Sequence, residues 1–178
     1  MHRDLLLQKL QTYIPSEHEV EFKQRMIAFV QQYPDCFERS LRTGHVTASV
    51  WLLDKTGTKA LLMHHAKLDR WLQLGGHCDG DADVLRVAIK EAQEESGIMD
   101  IVPVSEEIFD IDIHRIPGNA KEPEHDHYDV RFLLQVMSDE AYICNSESKA
   151  LMWVDKKPDA LPTQHPALVR MFQKWALK

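Results

Sequence analysis

Three glutamates stand close together in the segment Lys90-Glu91-Ala92-Gln93-Glu94-Glu95-Ser96-Gly97-Ile98. On a helix, Glu91 neighbours both Glu94 (i,i+3) and Glu95 (i,i+4), so the three carboxylates share one patch of surface. Like charges at this spacing cost a helix a few tenths of a kcal/mol per pair. A bound cation reverses that penalty. Carboxylate oxygens suit a hard divalent ion such as Mg²⁺, which in proteins usually serves phosphate chemistry. These residue types therefore point to a metal site for a phosphorylated substrate.

The helix that must carry them can be read from its ends. Asp79-Gly80-Asp81 is a turn signal, and Asp81 or Asp83 can act as N-cap. Gly97 stands where a left-handed C-terminal cap belongs. At ~100° per residue, Val84, Leu85, Ala88, Ile89 and Ala92 form one apolar stripe. A merely solvated acidic face would align the glutamates with Arg86 and Lys90. Glu91 and Glu95 instead fall at the edge of the apolar stripe, with Glu94 between the two faces.

From Gly76 to Ile98 the chain resembles the Nudix box, G-x5-E-x7-R-E-U-x-E-E-x-G-U, where U is a bulky aliphatic residue. Aligned on Gly76, Glu91, Glu94, Glu95, Gly97 and Ile98 match, and Ala92 takes the first aliphatic position. Two positions depart from the pattern: Ala82 stands where the first Glu belongs, and Lys90 replaces the Arg. In that family the first Glu and the Arg mainly brace the loop against the helix, whereas the later glutamates bind metal. The departures therefore bear on loop rigidity more than on metal binding. The resemblance implies an α/β fold, a Nudix-type α/β/α sandwich built on a mixed β-sheet. It also implies Mg²⁺ (or Mn²⁺) held by Glu91, Glu94, Glu95 and the Gly76 carbonyl.

Composition agrees with one globular domain carrying a short appendage. The chain has 178 residues, 44% of them apolar, enough for a sizeable core. A net charge of −7 argues against broad nucleic-acid binding. An acidic protein handling phosphate needs local cations, and a divalent metal supplies them. Cys36, Cys78 and Cys144 are odd in number and form no C-x-x-C pair, so a disulfide scaffold or thiolate zinc site is not expected. No apolar run approaches a membrane span and the N-terminus lacks a signal-type apolar segment, so a cytoplasmic setting is the default expectation.

Residues 4–14 and 17–33 read as amphipathic helices, with Ser16 and Glu19 forming a capping box. This helical pair, residues 1–40, precedes the Nudix-like part at 41–178. It could pack on the domain or mediate homodimerisation, and both readings stand. Strands are expected over 45–53, 60–65, 71–74, 101–104, 108–116, 126–136 and 149–154, with a Gly75-Gly76 turn. A last helix is expected over 163–177, with Thr163 as N-cap.

Two strands carry polar faces. Alternation places Asp110, Asp112 and His114 together on one, and His125, His127, Asp129 and Arg131 together on the other. As a substrate-cleft wall, His114, His127, Asp129 and Arg131 would bind the non-reacting part of a small phosphorylated substrate. Arg131 would pair with phosphate bidentately, and Arg131→Ala would then raise KM more than it lowers kcat. His125, His127 and Asp129 also have the spacing of metal ligands on one strand, although the helix-borne HExxH pair of zinc hydrolases is absent. Trp71 either packs its loop on the sheet or stacks on a flat substrate group. Glu147 lies on a loop where Nudix enzymes often place a metal-binding or basic glutamate, so Glu147 or Glu94 is the candidate general base.

The resemblance thus implies metal-dependent hydrolysis of a diphosphate linkage in a nucleoside diphosphate joined to another moiety, or in a related pyrophosphate. Two alternatives remain open. One is a non-catalytic Nudix-like binding module, which Ala82 and Lys90 permit. The other is an enzyme like isopentenyl diphosphate isomerase, which uses histidine ligands and a catalytic cysteine.

Overall fold

A computed structural model of the chain describes residues 2–119 and 123–178. Helices α1 (Asp4–Thr12) and α2 (Val20–Gln32) come first, then strands β1 (Gly44–Leu53), β2 (Lys59–His65), β3 (Arg70–Leu72) and β4 (Leu74–His77). Helix α3 (Val84–Ser96) is followed by β5 (Ile101–Pro103), β6 (Asp110–Ile116), β7 (His125–Val136), β8 (Ser148–Asp155) and helix α4 (Pro166–Ala176). The eight strands make a mixed sheet, and with the helices they give the α/β class that the residues imply. The chain forms two compact units. One is drawn from Met1–Ala48, Gly76–Ala88 and Glu106–Phe132, the other from Ser49–Gly75, Ile89–Ser105 and Leu133–Lys178.

In the first unit, the capping box at Ser16 does more than start a helix. The Ser16 N–H and hydroxyl both donate to Oε2 of Glu19, at 2.8 and 2.5 Å. Oε1 of the same carboxylate accepts the Tyr13 hydroxyl at 2.6 Å and the Ile111 N–H at 3.1 Å. Glu19 is fully buried. A local helix-start signal has thus become the cross-link between the N-terminal helices and β6. Met26, Phe29 and Val30 form the buried face of α2, and Phe29 stacks on Tyr128 at 3.8 Å. Strands β6 and β7 pair antiparallel, with Asp112 opposite Asp129 and His114 opposite His127. At the start of β1, a Cβ on Gly44 would lie 2.4 Å from the Asp126 carbonyl oxygen, and φ there is +149°. Only glycine meets both conditions without strain.

In the second unit, β2 pairs antiparallel with β3 and β8, and its Leu61 lies opposite Leu52 of β1. Strand β5 pairs with the end of β7, Ile101 against Val136. Helix α4 buries Leu168, Met171, Phe172 and Trp175, and Trp175 meets the fully buried Trp51 at 5.9 Å between ring centroids.

Three expectations are corrected in detail. Gly75 and Gly76 lie within β4 rather than in a turn, because glycine has no Cβ to forbid Gly75's φ of 150°. Helix α1 stops at Thr12, two residues short, and leaves Ile14 exposed. The last helix begins at Pro166, with His165 rather than Thr163 as N-cap; Pro166 has no N–H to leave unpaired at that first position.

Glu19→Ala removes the acceptor of two buried donors, Tyr13 Oη and Ile111 N. It is expected to lower stability by about 2–4 kcal/mol, measured by urea unfolding. A change below ~0.5 kcal/mol would show that the network is dispensable.

Candidate active site

Helix α3 is capped as its ends suggest. Asp83 Oδ1 accepts the Arg86 N–H at 3.1 Å, the bond an N-cap makes to the third helical residue. Asp81 takes the other role: its carboxylate grips the Arg86 guanidinium at 2.7 and 3.1 Å and accepts the Asp83 N–H at 2.9 Å. This pair ties loop to helix beside the two positions that depart from the box pattern. Lys90 instead reaches Glu94 at 3.6 Å, one turn on. Gly97 closes the helix with φ +74°, donating its N–H to the Gln93 carbonyl at 2.8 Å.

The buried face of α3 consists of Val84, Val87, Ala88, Ala92, Glu95 and Ser96, whereas Leu85 and Ile89 are only half-buried. The stripe is therefore rotated toward Val87, and that rotation carries Glu95 inward. Glu95 is 4% exposed, and its Oε2 accepts the Gly75 N–H at 2.8 Å. Burial pushes its pKa up from 4.5 to about 8; the charges of Glu91, Glu147 and Glu94 push the same way, and the Gly75 N–H opposes them. Glu91 is half-buried and Glu94 exposed.

Glu147 reaches this group through its loop. Asn145 Nδ2 donates to the Glu94 carbonyl at 3.3 Å, and Asn145 Oδ1 accepts the Glu147 N–H at 2.9 Å. The Ile143 N–H donates to the Ser96 carbonyl at 2.8 Å. These bonds fasten the loop to the end of α3 and bring the exposed Glu147 carboxylate to bear on Glu95. In the same unit, Trp71 is half-buried and stacks on His64 at 5.1 Å, its cross-strand partner on β2.

The polar strand face differs from its expectation. Arg131 is 2% exposed and is held on three sides. Its Nε donates to Asp129 at 2.7 Å, Nη1 to Asp110 at 2.9 Å and Nη2 to Asp112 at 3.1 Å. Thr47 Oγ1 adds a 3.0 Å bond to Asp129. The three aspartates drive the Arg131 pKa up against its burial. Arg131 and Asp129 therefore do not line an open cleft. Alternation places the two residues on one face, but it cannot show that β7 is covered on both faces. His114 and His127 remain partly accessible on that strand pair. His127 has its pKa pushed down to about 2, first by burial and then by neighbouring histidines. Two of those neighbours, His45 and His77, come from distant parts of the chain, and no spacing in the sequence singles them out.

The family model of the NUDIX domain matches residues 43–172. No curated protein sequence matches the chain. Among solved structures, a NUDIX-family hydrolase from Clostridium perfringens is 29% identical, with a TM-score of 0.55, over 75% of this chain and 97% of that one. A C. elegans Ap4A hydrolase gives a TM-score of 0.60 at 15% identity, over 74% of this chain and 95% of that one. The E. coli dihydroneopterin triphosphate pyrophosphohydrolase gives 0.57 at 15%, over 74% and 94%. The last two likenesses are of fold alone. No helix among the described residues is long and apolar enough to cross a membrane.

Two outcomes are expected from this geometry. Arg131→Ala strands three buried carboxylates, so stability should fall by about 3–5 kcal/mol, and a loss of fold in thermal unfolding should precede any selective rise in KM. For Glu95, the folded pKa lies above the unfolded one. Its contribution is thus fully present below pH ~4.5 and is lost as pH rises through about 8. In metal-free protein, Glu95→Gln should therefore gain stability over wild type progressively from pH 5 to pH 8.5. Parallel stability curves for the two proteins would contradict the raised pKa.

Proposed function

Since the chain belongs to the NUDIX family and is a hydrolase of that family, we propose that it hydrolyses a diphosphate linkage in a nucleoside diphosphate joined to another moiety, or in a related pyrophosphate. Water attacks one phosphorus atom and the other phosphate leaves. The observation that carries this reading is the buried, charge-strained Glu95 among Glu91, Glu94 and Glu147. A carboxyl group held in this way, with one oxygen on the Gly75 N–H and the other free of that bond, gains from a cation beside it.

The donor set fits Mg²⁺ or Mn²⁺: hard carboxylate oxygens from Glu91, Glu95 and Glu94, with the Gly76 carbonyl as the further donor that the box implies. When bound, the ion neutralises the diphosphate and acidifies the attacking water. Glu95 and the half-buried Glu91 would hold it, and the Gly75 N–H fixes the Glu95 carboxylate. Glu147, exposed and tethered through Asn145, accepts the proton of the attacking water, with Glu94 as the competing base. Trp71 and His64 offer a flat stacked surface for a base or ring on the substrate. Residues 1–40 are read as an extension of the catalytic domain, and the setting as cytoplasmic.

Relatives by fold are described as acting on Ap4A, dihydroneopterin triphosphate and ADP-ribose. A pyrophosphate linkage is what these have in common, and it is the part carried over here. An isomerase reading is disfavoured by Cys36 and Cys78, both buried with their thiols pushed up by desolvation. Such thiols are poor partners for proton chemistry.

The test is a screen of nucleoside diphosphate sugars, dinucleoside polyphosphates, nucleoside triphosphates and CoA esters with Mg²⁺ or Mn²⁺, with products identified by phosphorus NMR. Turnover should require the metal. Glu95→Gln should lose at least ~100-fold in kcat, since even outer-shell changes cost 10–100-fold, while keeping a native circular dichroism spectrum. Metal-independent turnover, or wild-type activity in Glu95→Gln, would place the chemistry elsewhere.

A further inference from the structure

A second group of ligating side chains lies in the first unit and takes no part in the chemistry above. His45 opens β1, His77 ends β4, and His125 and His127 begin β7. Ligand nitrogens of His45, His77 and His127 all lie within 4.8 Å of one another. The ring centroids of His45 are 5.0 Å from His77, 5.0 Å from His125 and 4.7 Å from His127.

Of the four imidazoles, His45 is the most buried. It is 2% exposed, and neither ring nitrogen makes a hydrogen bond of standard geometry among the described residues. A buried polar group left in this way costs ~1–3 kcal/mol. The Leu41 backbone carbonyl exerts only a weak pull on it. Metal-ligating imidazoles commonly donate their other ring N–H to a backbone carbonyl.

His125 is oriented in the same sense. Its Nδ1 lies 2.9 Å from the Pro123 carbonyl, so in the neutral ring the proton sits on Nδ1. The Nε2 lone pair then points inward, 3.3 Å from Nε2 of His127. Two facing Nε2 atoms need either a proton or a cation to hold them together. Burial disfavours the charged form of both His45 and His127. Neutral imidazole is the form that binds metal.

The fold is built to make this gathering. Gly44 lets the start of β1 press against the Asp126 backbone, which any Cβ would obstruct at 2.4 Å, and so sets His45 beside His125 and His127. His77 and His127 are half-buried, which leaves an entry path from solvent.

We propose that His45, His77 and His127, with His125 as fourth donor, form a binding site for a borderline-soft divalent transition ion such as Zn²⁺, separate in its residues from the carboxylate site. Imidazole selects Zn²⁺ over Mg²⁺, whereas the box carboxylates select the reverse. A tetrahedral set at ~2.0–2.1 Å brings its nitrogens to roughly 3.3 Å apart, so His45, His77 and His127, whose ligand nitrogens lie within 4.8 Å of one another, need to close in by up to about 1.5 Å.

The experiment uses the full chain, stripped with chelator and titrated with Zn²⁺ against a chromogenic competitor in excess Mg²⁺. Co²⁺ absorption spectra report the ligand geometry. The expected result is one equivalent of Zn²⁺ per chain, a Zn²⁺-dependent rise in Tm, and tetrahedral Co²⁺ bands. His77→Ala and His127→Ala should each weaken binding at least ~10-fold and abolish the Tm shift, while Glu95→Gln binds Zn²⁺ as wild type does. Folding of each variant is verified by circular dichroism, and His77→Asn replaces His77→Ala if the alanine variant fails to fold. The proposal is overturned if wild type takes up no Zn²⁺ at micromolar free ion. It is equally overturned if the histidine variants bind as wild type does, or if Glu95→Gln alone removes the Zn²⁺. Because the readout is binding rather than turnover, failure of this site and failure of the hydrolase reading are distinguishable.

Discussion

The constraint on which the first unit rests is the burial of one guanidinium among three aspartates. Arg131 and Asp110 are direct cross-strand partners, as are Asp112 and Asp129. A slip of one residue between β6 and β7 would put Asp110 and Asp112 on the face opposite Asp129 and Arg131. The ion cluster therefore works as a register pin. Its net worth in stability is modest, since desolvating the charges offsets much of their attraction. Its value lies in the alternatives it forbids. With that register held, His114 falls opposite His127, and the imidazoles at the head of β7 are delivered to one place.

In the second unit the organising feature is a carboxylate that is costly to bury. A helix designed only for stability would place an apolar side chain at position 95, beside the buried Ala92 of the same helix. Glu95 is there instead, with a raised pKa and two like charges on its own helix. Strain of this kind clusters at functional sites. The rest of the unit accommodates it: the Gly75 N–H orients the carboxylate, Gly97 stops the helix one residue beyond Ser96, and Asn145 holds the Glu147 loop against the helix end.

The two sites differ in chemistry. Hard oxygens crowd one, and neutral nitrogens the other. Among the described residues the buried Arg131 is already committed to three aspartates.

What the sequence determined by itself was whatever depends on local periodicity and on chemistry carried by adjacent residues. The Ser16–Glu19 capping box, the Gly97 cap and the inward lean of Glu95 all follow from spacing along one element, and each is present. Tertiary structure decided whatever depends on what covers an element. Period-two alternation put Asp129 and Arg131 on one face, but whether that face meets solvent or other side chains is a property of its neighbours, and here it is buried. Glu19 was legible as a cap, whereas its bond to the Ile111 N–H spans 92 residues of chain. The meeting of His45, His77 and His127 is of the same kind. It needs a glycine at position 44 and a strand register held by Arg131, and neither constraint is visible in the spacing of the histidines, because it is imposed through space by atoms far away in sequence.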